Sequence, residues 1–421
     1  MLLISGLFIA CYLLITAEAV ARFHRTAAAL LAALTTWTAW SLSGGGPGAW
    51  EALGHHLKSA SEIVFFLMGA MTIVGLVDAH DGFSLVRRAV RSRRPLSVFW
   101  IVGALAFFLS PVLDNLTAAI VMMTVVLGLT EDAEFRKWLA VSIIVAVNAG
   151  GAWSAIGDVT TTMLWIGGQI SAPGIAKATF LPSLAMFLTV QILMTPRVAK
   201  LPRLPAPPPT KEGRSPYPVG VQVLFLASGL LALLSVPFLK IFLHMPPWFG
   251  IFLGMVACWT LAELFHRKRG DEARDRSSVQ GVLTRLDVPT LLFFLGIILA
   301  VGALQASGVL GVAQSFLDRR IANPEHLAWA MGILSAIVDN VPLVAAVQNV
   351  YPLDRFPIDD PFWKILALTT GTGGSLLIIG SAAGVALMGM ARVGFGWYLR
   401  RATLPVLVGY AVGIVIFAFS N

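Results

Sequence analysis

Charge is the scarcest commodity in this 421-residue chain. Only 12% of its residues are Asp, Glu, Lys or Arg, about half the share of a soluble globular protein, while 57% are hydrophobic and the mean hydropathy is +0.81. So little polar surface cannot cover so apolar a chain, which excludes a water-soluble globule and predicts an all-α polytopic membrane protein. Cysteine is nearly absent. Cys11 and Cys258 both lie in apolar runs, with no CxxC and no Cys/His cluster, so neither a disulfide framework nor a thiolate metal site is expected. Lys and Arg are missing ahead of the apolar run Met1 to Thr16. Ala17-Glu18-Ala19 resembles a signal-peptidase site, but a secretory leader needs a basic start, so the run is read as a retained first span. The net charge of +8 does not mark a nucleic-acid partner, because the basic residues sit in short segments between apolar runs. The partner implied is the lipid bilayer.

With about 20 apolar residues as one crossing, spans fall at Leu2 to Val20, Thr26 to Leu42 and Ser61 to His80. Two shorter arms, Leu96 to Leu109 and Val112 to Leu129, are broken at Ser110-Pro111 and read as a re-entrant hairpin. Trp138 to Gln169 is too long for one plain helix and reads as a helix broken at Asn148-Ala149-Gly150-Gly151; Ala176 to Thr195 closes this half. The Pro-rich basic stretch 196–218 is an aqueous linker. The pattern then restarts: spans at Val219 to Leu239, Trp248 to Phe265 and Val288 to Leu310, a hairpin at Leu327 to Val350, a broken helix at Phe362 to Met390 containing Gly373-Gly374, and a span at Tyr398 to Phe419. The expected units are therefore residues 1–195, the linker 196–218, and residues 219–421.

The halves repeat by residue. Phe65-Phe66 matches Phe293-Phe294, Val74-Gly75 matches Val301-Gly302, Ser110 and Asp114-Asn115 match Ser335 and Asp339-Asn340, and Gly150-Gly151 matches Gly373-Gly374. Four matches in order with nearly constant spacing indicate an internal repeat. Five full crossings and one hairpin in each half force the second half to be inverted. On this topology every Lys and Arg falls on one side except Lys58, Lys177, Lys240, Arg319, Arg320, Arg355 and Lys364. By the positive-inside rule both termini then face outward.

The chemistry follows from what interrupts the apolar runs. SPVLDNLT (Ser110 to Thr117) and SAIVDNVP (Ser335 to Pro342) each place an Asp-Asn pair at membrane depth, where a lone carboxylate costs about 2.5 to 3.5 kcal/mol and is functional by default. Inverted repeats with discontinuous helices are a common build of secondary transporters, with ion sites at the helix breaks. Asp114, Asp158 and Asp339, with the neighbouring Asn amides and the hydroxyls of Thr160 and Thr161, offer the oxygens that a hard cation such as sodium prefers. A carboxyl removed from water can also hold a proton. Proton and sodium then compete for the same oxygens, which suffices for antiport, with lithium a further candidate cation. For Asn115 and Asn340 a capping role stands beside the binding role. Glu62 opens the third span, where an interfacial and a coupling role are both open. Asp78, His80 and Asp81, at a span end, are read as solvated.

The segments SPVLDNLTAAIVMMTVV, NAGGAWSAIGDVTTTMLW, SAIVDNVP and GTGGSLLIIGSAAGVALMGM resemble the signature regions of NhaD-type sodium/proton antiporters of the ion transporter superfamily. The resemblance covers about Glu62 to Gly394. It implies a scaffold domain making homodimer contacts and a transport domain with the hairpins and broken helices, in a bacterial inner membrane and without a cofactor. It also implies that Ser110, Asp114, Asn115, Asn148, Asp158, Thr160, Thr161, Ser335, Asp339, Asn340 and Ser375 form or support the ion sites. An arsenite or di/tricarboxylate carrier of the same superfamily is the alternative. A dicarboxylate carrier would be expected to have Ser-Asn-Thr at the tips, and Asp in place of that Ser favours a cation. An intramembrane aspartyl protease would need Gly-x-Gly-Asp and Tyr-Asp motifs. This chain has Ala155-Ile156-Gly157-Asp158 and no Tyr-Asp pair, so no enzyme is expected.

Overall fold

The computed structural model describes residues 1–16, 23–90, 92, 94–202, 217–266, 278–312, 315, 324–337 and 339–420. Among these residues the regular structure is entirely helical. The first half runs α1 (Leu2–Thr16), α2 (Arg25–Trp40), α3 (Gly46–Ala79), a short α4 (Ser84–Ala89), α5 (Pro95–Leu113), α6 (Asn115–Leu129), α7 (Ala133–Gly151), α8 (Val159–Ile166) and α9 (Ala172–Val198). The second runs α10 (Val219–Leu243), α11 (Pro247–His266), a short α12 (Val279–Leu283), α13 (Val288–Ala306), α14 (Pro324–Leu334), α15 (Asn340–Val350), α16 (Pro361–Gly373), α17 (Ala382–Met390), α18 (Phe395–Arg401) and α19 (Thr403–Ser420). The stretch Arg25–Ala79 and helices α5, α9, α10, α11, α13 and α19 are long and apolar enough to cross a bilayer. Residues 17–20 of the first expected span, 203–216 of the linker, and Arg319 and Arg320 lie outside the described residues.

Four features depart from the apolar-run reading. The third span does not start at Ser61, because α3 is continuous from Gly46 over 34 residues, about 50 Å at 1.5 Å per residue. Pro47 fits its first turn, and residues 46–60 are too polar to register as an apolar run although they wind as a helix. The first hairpin breaks at Asp114 rather than at Ser110-Pro111; Pro111 sits inside α5. The first broken helix breaks after its glycines, at 152–158, and the second breaks from Gly374, at 374–381, so Asn148, Gly150, Gly151 and Gly373 are helical. His80 is not solvated. It is fully buried, stacked 3.4 Å from Phe225, with its Nε2 2.9 Å from His266 Nε2, because the chain turns under α3 and Tyr217 and Phe265 close over the ring.

The glycines are helical because they let backbones touch. A Cβ on Gly150 would stand 2.3 Å from the Phe107 carbonyl oxygen of α5, and one on Gly373 2.0 Å from that of Gly332 on α14. No rotamer relieves a clash with backbone, so Gly150→Ala and Gly373→Ala must each part a hairpin arm from its broken helix. Overpacking of this kind costs about 1–3 kcal/mol. Each is expected to lower the melting temperature of the purified protein, whereas alanine at Gly389, whose Cβ meets nothing within 4 Å, should not.

Packing sorts the helices into two bodies. In one, α1, α2, α3, α10, α11 and α13 pack together, with α2 on α13 and α11 on α3, so that each half's second helix lies on the other half's third. In the other, α5 packs on α7, α14 on α16 and α9 on α19. The first body is tied internally by Trp37 Nε1 donating to Leu299 O (2.8 Å) and Thr26 Oγ1 donating to Pro289 O (2.9 Å). Between the bodies contact is sparse, chiefly α13 with α15, α3 with α8 and α10 with α5.

Candidate functional site

Each of the four interrupted helices restarts at a residue that caps the new N-terminus with its own side chain. Asp114 caps α6, its carboxylate accepting from Thr117 N (2.9 Å) and Thr117 Oγ1 (2.7 Å). Asp158 caps α8 through Thr160 N (3.2 Å), Asp339 caps α15 through Val341 N (3.1 Å), and Ser381 caps α17 through Gly384 N (3.1 Å). A helix N-terminus carries about half a positive charge, which a carboxylate complements. Three carboxyl groups are thus held at one place, each at a helix start that offsets part of the desolvation cost of its charged form. Asp114 has φ 70 and ψ 158, a region that suits glycine and costs about 1–3 kcal/mol for other residues, typically at functional sites.

The four N-termini meet. A pocket of about 60 Å³ is lined by Asp114, Asn115 and Thr117 of the first hairpin, Asp158 and Val159 of the first broken helix, Asp339 and Asn340 of the second hairpin, and Ala382 of the second broken helix. The halves are stitched by Asn340 Nδ2 donating to Asp158 Oδ2 (3.3 Å). Asp158 is only 1% exposed. The Thr160 hydroxyl is buried beside it, behind the residues that line the pocket. Thr161 Oγ1 is turned back onto Asp158 O (2.9 Å). Among the described residues no three His, Cys, Asp or Glu side chains form a ready-made metal cluster. Asp114, Asp158 and Asp339 share the pocket without closing into one coordination sphere.

Behind the pocket lies a polar hub. Asn148 Oδ1 accepts from Asn115 Nδ2 (3.2 Å), and its Nδ2 donates to Ser375 Oγ (2.9 Å) and Ser381 Oγ (3.1 Å). Ser110 and Ser335 do not face the pocket. Both are fully buried and donate to broken-helix carbonyls, Ser110 to Val147 O (2.6 Å) and Ser335 to Thr370 O (2.8 Å). They tie each hairpin to its neighbour. Gly151 and Gly374 pack against the returning breaks at Gly157 and Gly380.

The opposite wall comes from the other body: Leu67 and Met71 of α3, Thr290, Phe293 and Phe294 of α13, and Arg25 of α2. Arg25 Nη1 lies 3.9 Å from Asp339 Oδ2, with the two side chains 25% and 18% exposed. Two larger cavities flank the pocket. One of about 460 Å³, lined by Asp78, Asp81, Arg285 and Asp287, shares Met71 and Thr117 with it. The other, of about 350 Å³, holds Glu62 with His56, Gln169, Gln305 and Gln348, and shares no lining residue with it. Glu62 is therefore apart from the aspartates.

The sequence pattern missed Arg25 and Ser381 as site residues. Arg25 counts only as a loop charge when residues are tallied by side, and Ser381 carries no charge to draw attention. Its alignment with Asp158 in the repeat was the available signal.

A family model described as a citrate transporter matches residues 12–371. The chain is 44% identical over 398 residues to sodium/proton antiporter 1 of Arabidopsis thaliana, covering 94% of this chain and 68% of that protein. It is 32% identical over 444 residues to the Na(+)/H(+) antiporter NhaD of Vibrio cholerae, covering 99% and 91%. Among solved structures, the YdaH transporter of Alcanivorax borkumensis, described as having an unusual topology, superposes with a TM-score of 0.57 at 13% identity over 94% of this chain and 98% of that one. That likeness is one of fold.

Proposed function

The chain belongs to the citrate-transporter family and, within it, to the NhaD-type sodium/proton antiporters, and we propose that Asp114, Asp158 and Asp339 carry the exchange by binding sodium and protons in competition. The observation that carries this reading is the convergence of both Asp-Asn tips and Asp158 on one small pocket between two sparsely joined bodies. Sodium neutralises the site by lying among carboxylate and Asn340 oxygens. Protons neutralise it by binding the same carboxylates, so occupancy by one excludes the other. Lithium, a smaller hard cation of the same charge, follows the sodium route.

The basic side is taken as cytoplasmic, with both termini outside, in a bacterial inner membrane. The cavity lined by Asp78 and Arg285 is then the inner vestibule, and its continuity with the pocket through Met71 and Thr117 makes this an inward-facing arrangement. The Glu62 cavity is the outer vestibule, cut off from the pocket here. The units 1–195 and 219–421 act as inverted halves, and two copies associate through the first body.

A second reading has one observation in its favour. Arg25 at the pocket is what a carboxylate-bearing substrate such as citrate would seek. Against it, organic ligands occupy pockets of about 300–1,000 Å³, and three aspartates repel an anion.

In everted membrane vesicles holding an imposed pH gradient, sodium or lithium should collapse the gradient, and Asp114→Asn or Asp339→Asn should abolish the effect. A preparation that answers citrate or arsenite and ignores sodium reverses the ranking.

A further inference from the structure

Arg25 is the one positive side chain lining the central pocket among the described residues, and it belongs to the body that does not carry the aspartates. Its backbone is fixed there. His24 caps α2 by accepting from Thr26 N, and Thr26 Oγ1 bonds Pro289 O of α13 at 2.9 Å. The guanidinium lies 5.1 Å over the Phe293 ring, a cation–π contact that steers it toward the pocket. From that position it reaches Asp339 across the gap between bodies, at 3.9 Å and with both groups partly exposed. At that distance the pair is loose rather than bidentate.

We infer that Arg25 is a tethered cation that competes with the transported cation for Asp339 and clamps the two bodies together while Asp339 holds no transported ion. The inference rests on the antiport reading above. A cation arriving from the vestibule at Thr117 meets Asp114, which Thr117 bonds, and takes Asp339 only by displacing the guanidinium. Displacement removes one of the few links between the bodies; another, Lys240 Nζ on the Trp165 carbonyl under α8, involves no carboxylate and does not depend on occupancy. An exchanger needs such a rule, because a carrier that reorients empty lets sodium run downhill without a counter-ion. The looseness of the pair suits this role, since an arriving ion must be able to break it.

The test uses the full chain in proteoliposomes, with sodium as the probe. Arg25→Gln should lower the half-saturating sodium concentration by roughly two- to fivefold, the worth of a partly exposed ion pair, with little change in maximal rate. It should also let radioactive sodium leak down its gradient with fewer protons moved per ion. Arg25→Lys, which keeps the charge without the planar fork, should fall between. If the glutamine variant does not fold, Arg25→Met keeps an apolar stem against Phe293 and serves in its place. An unchanged or raised half-saturation, wild-type coupling in the neutral variants, or a lysine variant no different from the glutamine one overturns the inference. A wild-type protein without any sodium response sinks the antiport reading instead, so the two failures are separable.

Discussion

Asp158→Asn should reduce sodium-dependent proton movement by at least about 100-fold, since even residues one layer behind an ion's ligands cost about 10–100-fold when changed. The shape is kept: the asparagine oxygen can still accept from Thr160 N, as Asp158 Oδ1 does at 3.2 Å, and α8 retains its cap. What disappears is the charge. The position facing Asn340 Nδ2, now Asp158 Oδ2 at 3.3 Å, becomes a second amide, which the Asn340 side chain can answer by turning its own oxygen inward. The variant should therefore elute from size exclusion as wild type does while failing in everted vesicles. Restoring charge on a longer stem should not rescue it. The Asp158 carboxylate is set by its own cap bond to Thr160 N and by Asn340 Nδ2, and the extra methylene of Asp158→Glu carries the carboxylate past the point where those two donors meet it. Wild-type exchange by Asp158→Asn would remove this residue from the site and leave the two hairpin tips to act alone.

The residues that reached the pocket as expected are those whose presence in an apolar run has a large energetic cost. Asp114, Asp158 and Asp339 could be found because lipid penalises them wherever they point. Of the glycines read as helix breaks, Gly374 does open one, whereas Gly150, Gly151 and Gly373 are helical. Whether a glycine breaks a helix or lets one pack depends on what its absent Cβ would meet, and for Gly150 that is Phe107 O of another helix, a tertiary fact no local pattern contains. The same limit applies to Ser110 and Ser335: the resemblance implied that they form or support the ion sites, and only the tertiary structure shows that each hydroxyl is spent on a neighbouring carbonyl. Residues 46–60 escaped for the converse reason, since an apolar-run criterion cannot register a helix whose surface is mixed. Arg25 escaped because its partner is a carboxylate in the other half.

Asn148→Ala should impair both stability and exchange, and the two losses should share one origin. The side chain joins Asn115 on the first hairpin to Ser375 and Ser381 on the second broken helix. It is therefore the point at which the polar framework of the two halves becomes one. Interhelical hydrogen bonds in helical membrane proteins average about 0.6 kcal/mol, so three of them give about 2 kcal/mol, readable as a melting temperature lower by a few degrees. Ser381 keeps its second role, accepting from Gly384 N at 3.1 Å, so α17 stays capped and the damage concentrates on Asn115, whose amide borders the pocket. A double-mutant cycle separates a shared network from two independent contacts. If the hub acts as one unit, Asn148→Ala combined with Ser381→Ala should destabilise by clearly less than the sum of the single changes, and the sodium half-saturation should shift with the first substitution and barely further with the second. Strict additivity in both readouts would mean that Asn148 ties two elements mechanically without holding Asn115 for the ion, and at the pocket the hydrogen-bonded link between the halves would then be that of Asn340 to Asp158.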